Sequence, residues 1–88
     1  MKSVGDIEGP WQDPNFPSGL IKRCEKYWTV PLDQLPDVMV ATYLNQQIAV
    51  AQMIEEAQRR VDQGKYDDTE LYEGQLADTL EYARTRRG

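Results

Sequence analysis

The sequence predicts an all-α fold: a small bundle of about four helices with an extended N-terminal arm. Three observations predict it. Residues 31–64 form the longest run with helical periodicity, and they are punctuated at both ends. No stretch alternates apolar and polar residues as a half-buried strand does. Gly5, Gly9, Pro10, Pro14 and Pro17 interrupt the first 18 residues too often for a helix. With 88 residues the chain reads as one domain near the size at which a single core suffices, divided into an arm (1–17) and a helical body (18–88).

Trp11 and Phe16 are unusual for a free tail. The arm is expected to pin Trp11, together with Phe16, onto the body; the alternative is that Trp11 is an exposed partner anchor. Ser18 is the candidate N-cap of the first helix, in which Leu20, Ile21, Cys24, Tyr27 and Trp28 share one face. Lys22, Arg23, Glu25 and Lys26 take the wet side, and Pro31 ends the helix by pushing Val30 out of the α region. Trp28 is expected to anchor the core from this helix.

The second helix is placed over residues 36–46, with Pro36 at its first position and Leu35, Met39, Val40, Tyr43 and Leu44 as its buried side. A break is expected within residues 45–49. The next helix runs to Gly64, a left-handed C-terminal residue. Val50, Met53, Ile54, Ala57 and Val61 form its apolar stripe. Gln52, Glu55, Glu56, Arg59, Arg60 and Gln63 are assigned to solvent, with Glu55–Arg59 and Glu56–Arg60 as surface pairs. A last helix over residues 74–84 buries Leu76, Leu80 and Ala83, and the tail beyond Arg84 is expected to fray.

Composition narrows the function classes. There is no histidine, so the usual general base, the commonest transition-metal ligand and the ordinary pH switch are all missing. Cys24 is the single cysteine; it forbids an internal disulfide and reads as a packed small hydrophobe. No apolar run is long enough for a bilayer, and no hydrophobic signal core follows the N-terminus, so a cytoplasmic protein without a membrane partner is expected. The net charge of −5 argues against direct nucleic-acid binding and for a basic partner.

The acidic segment 62–81 carries Asp62, Asp67, Asp68, Glu70, Glu73, Asp78 and Glu81 against Lys65. Residues 62–73 have the ends of an EF-hand loop, but Gly64, Tyr66 and Asp67 occupy its third, fifth and sixth positions, so it fails as a calcium site. No metal or cofactor is expected. Asp67, Asp68 and Glu70 lack an apolar pocket that would tune them for acid–base work, and no enzyme is expected. Two readings stay open. The carboxylates form a solvated acidic face, or Tyr66, Asp67, Asp68, Glu70, Tyr72 and Glu73 form a docking surface combining electrostatic steering with aromatic contact area. In either case, reversing the charges of Asp67, Asp68 and Glu70 is expected to leave the fold alone.

One series of residues is notable for its order: Trp11 with Pro14, Leu20 with Cys24, Pro31–Leu32 with Leu35, Asp37 and Gln47–Ile48. It continues with Ala57 and closes with Tyr72, Gly74, Leu76 and Leu80, spanning roughly residues 8–80. That order resembles the immunity proteins of contact-dependent growth inhibition systems. The chain departs from that pattern at Asn45 and Ala49, where the family tends to have glycines. It departs again at Glu73 and Gln75, where the family tends to have proline and aspartate. The resemblance implies a non-enzymatic protein that binds one cognate toxin domain, often a nuclease, and occludes or deforms its active site, here as a monomer in a 1:1 complex. An acidic adaptor or regulatory module unrelated to toxins is the alternative.

Overall fold

A computed structural model describes residues 2–12, 19–64 and 67–87. Pro14, Phe16, the expected N-cap Ser18, Lys65 and Tyr66 lie outside the described residues. Among those described there are five α-helices, one 3-10 turn and no strand: α1 (Val4–Glu8), α2 (Gly19–Lys26), the 3-10 turn (Leu32–Gln34), α3 (Asp37–Asn45), α4 (Val50–Gln63) and α5 (Gln75–Arg87). Helices α3, α4 and α5 pack against one another, and α2 lies on α3. None of the helices is long and apolar enough to cross a membrane.

The central element is α3. Met39, Val40, Ala41, Tyr43 and Leu44 are all buried, and so are Asp37 and Thr42. A helix buried around most of its girth belongs inside the bundle. The residues expected on its buried side are therefore correct, and the burial extends further. Pro36 sits just outside the helix, at its N-cap, rather than at its first position. Met53 and Ala57 of α4 and Leu76, Leu80 and Ala83 of α5 close the core against it.

The expected break between α3 and α4 is present. Gln47 and Ala49 take left-handed backbone angles, with φ of 59° and 49°. Such a conformation costs a non-glycine residue about 1–2 kcal/mol. It is offset here because the Ala49 N–H donates to Glu8 Oε1 at 2.8 Å and the Ile48 N–H to the Tyr43 carbonyl at 2.9 Å.

Two terminal regions differ from expectation. The arm is not extended throughout, because residues 4–8 form a one-turn helix closed by a capping box. The Ser3 N–H donates to Asp6 Oδ2 at 2.9 Å and the Asp6 N–H to Ser3 Oγ at 3.2 Å. Gly5 leaves room for a close approach here, since a Cβ would stand 3.1 Å from Trp28 Cδ1 and 3.2 Å from the Trp28 carbonyl oxygen, tighter than most such contacts. At the other end α5 stays helical to Arg87 instead of fraying from Arg84, and the Arg86 guanidinium donates to the Leu44 carbonyl at 2.9 Å.

Trp28 anchors the arm as well as the core. It lies in the turn after α2, which ends at Lys26, two residues sooner than the apolar stripe suggested. Its indole N–H donates to the Gly9 carbonyl at 2.8 Å, and its own carbonyl accepts the Gly5 N–H at 2.8 Å. Trp11 meets it edge-on with centroids 5.0 Å apart, and Tyr43 meets it from the core side at 6.3 Å. Trp11 thus packs on the body, as the first of the two sequence readings expected. Cys24 is buried, and its carbonyl accepts the Tyr43 hydroxyl at 2.7 Å. Burial pushes the ionisation of both the Cys24 thiol and the Tyr43 phenol upward.

Candidate partner-docking surface

The site begins with an unmet need at the starts of the three core helices. The first N–H groups of a helix have no intrahelical partner and need acceptors from elsewhere. Neither Pro36 nor Ala49 makes a side-chain cap hydrogen bond, and α5 is preceded by Gly74, which has no side chain. Each helix start instead receives a carboxylate from elsewhere in the chain: Asp67 at α3, Glu8 of α1 at α4 and Glu70 at α5. Negative charge is also favoured there by the helix dipole.

At α3 the capping is reciprocal. The Asp37 N–H donates to Asp67 Oδ2 at 3.0 Å, and the Asp67 N–H donates to Asp37 Oδ2 at 3.1 Å. The other oxygen of Asp67 accepts the Thr69 N–H and hydroxyl, at 3.0 and 2.6 Å, and Thr69 Oγ1 accepts the Val38 N–H at 3.1 Å. Burial pushes the Asp67 carboxyl up. The hydrogen bonds from Thr69 and from the Asp37 backbone, with the charge of Arg60, outweigh that and hold it below its usual value.

Arg60 lies behind this pair. Its Nη1 donates to Asp37 Oδ1 at 2.9 Å, its Nε to Glu56 Oε2 at 2.7 Å and its Nη2 to the Leu32 carbonyl at 3.1 Å. Arg59 also pairs with Glu56. Glu56 and Arg60 are both buried, which corrects their assignment to the wet side of α4. The signal was present in the spacing: Met53, Glu56, Ala57 and Arg60 follow i, i+3, i+4, i+7, a stripe rotated slightly from the one that hydrophobicity alone selects.

Asp67, which is exposed, and Glu70, which is half-buried, both accept helix-start N–H groups, so reversing their charge is now expected to disturb the fold. Glu70 Oε2 takes the Leu76 N–H at 2.6 Å, and Gln75 Oε1 takes the Leu71 N–H at 2.8 Å, so the segment is tied to α5 from both sides. The segment then turns outward. Asp68, Glu70, Tyr72, Glu73 and Gly74 line an open cleft of about 540 Å³, with Asp68, Tyr72 and Glu73 exposed. Leu71, which the sequence reading passed over, is the most exposed large hydrophobic residue among those described. An apolar residue in an acidic stretch without helical periodicity was the available signal.

No group of three or more His, Cys, Asp or Glu among the described residues is arranged to hold a metal ion. What the geometry offers is a loop fixed from behind by its own carboxylates, presenting acidic and apolar side chains in front. Comparison with protein-family models, with curated proteins and with solved structures finds no match in any of the three.

Proposed function

We propose that this protein is an immunity protein of a contact-dependent growth inhibition system, binding and neutralising one cognate toxin domain by stoichiometric contact. The observation that carries this reading is the division of labour in residues 67–74. Asp67 and Glu70 hold the segment to α3 and α5, while Asp68, Tyr72 and Glu73 face outward. A binding segment ordered in advance loses less freedom on association. The residue order shared with that family gives the partner its class, and the net charge of −5 suits a basic one. A nuclease that grips phosphates with lysine and arginine presents such a surface.

The test is a titration. A toxin domain encoded at the 3′ end of a large secreted-protein gene just upstream of this one is assayed with increasing amounts of the protein. Inhibition is expected to be complete near one protein per toxin domain. Removal of toxicity by a trace of protein contradicts inhibition by binding. The lack of any such upstream gene leaves an acidic adaptor as the reading.

A further inference from the structure

Three large hydrophobic side chains are exposed among the described residues: Leu71 at 73%, Tyr82 at 59% and Tyr72 at 54%. Tyr82 lies on α5 and makes a cation–π contact, with the Arg86 guanidinium 4.9 Å from its ring centre. Leu71 and Tyr72 are consecutive and lie in the loop before α5, and Tyr72 makes no cation–π contact among the described residues. Their backbone is fixed, with the Leu71 N–H on Gln75 Oε1 at 2.8 Å and the Tyr72 carbonyl accepting the Gln75 N–H at 3.1 Å. Two neighbouring apolar side chains rimmed by polar ones, on an ordered backbone, have the composition of a protein-contact site.

We infer that Leu71 and Tyr72 are the anchoring pair of a docking surface whose occupant is a basic protein, offering an apolar socket rimmed by arginine or lysine. For the identity of that protein as a toxin domain the inference rests on the function proposed above; for the surface it does not. The sign of the rim follows from charge complementarity. Asp68 and Glu73 flank the pair in sequence, are exposed and line one cleft with Tyr72, and neither makes a side-chain hydrogen bond or ion pair among the described residues, unlike Asp67 and Glu70. A nucleic acid or an acidic protein meets the same carboxylates as repulsion. The two kinds of residue then act on different rates. The apolar pair is desolvated at the centre of the contact and sets the lifetime of the complex, while the rim charges steer encounter.

The experiment has two arms. In the first, association of the upstream-encoded toxin domain is followed at low and high salt for the parent, for Leu71→Ser with Tyr72→Ser, and for Asp68→Asn with Glu73→Gln. The serine variant is expected to dissociate at least about tenfold faster with an unchanged melting temperature. The amide variant is expected to associate several-fold more slowly at low salt, a difference that narrows as salt screens the field. Parent-like binding by the serine variant, or a large drop in its melting temperature, overturns the inference. If the parent itself does not bind the toxin domain, the immunity reading fails, and the second arm decides the surface alone. There a synthetic peptide alternating arginine and leucine is titrated into the labelled protein, with a glutamate–leucine peptide as control. Amide shifts centred on residues 68–74 for the arginine peptide alone support the surface; shifts centred elsewhere, or none, overturn it.

Discussion

The arm, with its short helix α1, and the acidic loop are fastened to the same bundle by different balances of apolar contact and charge. The arm is held mainly by aromatic packing and backbone hydrogen bonds: Trp11 on Trp28, Gly5 on the Trp28 carbonyl, and the Leu32 N–H on the Lys2 carbonyl at 3.0 Å, with one carboxylate, Glu8, on the Ala49 N–H. The loop is held by charge, through Asp67, Asp37 and the buried Arg60. Apolar attachment consumes the side chains that make it: Val4, Ile7 and Trp11 pack against the core, and the exposed positions of the arm are Lys2, Asp6, Glu8, Pro10 and Gln12. Attachment through carboxylates at helix starts needs one side chain in three or four. The loop can thus be fixed from behind and still present Asp68, Leu71, Tyr72 and Glu73.

The largest expected effect falls on the charged attachment. Arg60→Ala leaves Glu56 and Asp37 buried without their shared cation, which costs about 3–5 kcal/mol, the range for breaking a buried ion pair. For a domain of this size that is a large fraction of the total stability. A denaturation midpoint close to that of the parent means the network is replaced by water and the loop is held some other way.

Next comes the apolar attachment. Trp28→Ala is expected to cost about 3 kcal/mol, the low end for truncating a large aromatic, because the ring is only half-buried. The cost should vary little with salt. A melting temperature within a degree or two of the parent contradicts the placement of Trp28 as the hinge between arm and core.

These two attachments also differ in how well the sequence announces them. Trp11, Trp28, Cys24 and the stripes of α3 and α5 were legible because apolar residues at helical spacing have one economical place to go. The break at residues 45–49 was legible in location but not in means, since the glycines expected to make it are absent and Glu8 serves instead, 41 positions from Ala49. Arg60 and Glu56 were misread because a charged residue is assigned to water unless a partner is known, and their partners Asp37 and Leu32 are distant in sequence. The roles of Asp67 and Glu70 were hidden for the same reason. The clue was negative: the core helices begin after Pro36, Ala49 and Gly74, which leave helix N–H groups for other segments to satisfy. The short helix α1 was missed because its glycine reads as a breaker, whereas Gly5 is there for the close approach of Trp28.

The smallest effect separates the attachments by pH. Asp67→Ala removes an acceptor from the start of α3 and should cost about 1 kcal/mol at neutral pH, as other lost caps do. The folded-state carboxyl of Asp67 lies below the ordinary value of 3.8, so its contribution is complete above that value and is lost as pH falls through the lower folded one. Asp6 is held low by its hydrogen bonds from Ser3 and loosens over the same acid range, but it is common to parent and variant. The stability difference between parent and Asp67→Ala, followed by chemical denaturation, should therefore be constant from pH 7 to about pH 4 and shrink below it. A difference that grows in acid gives the wrong sign for a capping carboxylate.

The central claim is that the loop is fastened by its own carboxylates, separately from the arm. Amide hydrogen exchange tests it most directly, comparing Asp67→Ala with the parent at four N–H groups. Asp37 and Val38 report on the loop attachment, through Asp67 and Thr69, while Gly5 and Leu32 report on the arm. The account predicts faster exchange at Asp37 and Val38 with Gly5 and Leu32 unchanged. Equal acceleration at all four, or none at Asp37 and Val38, contradicts it.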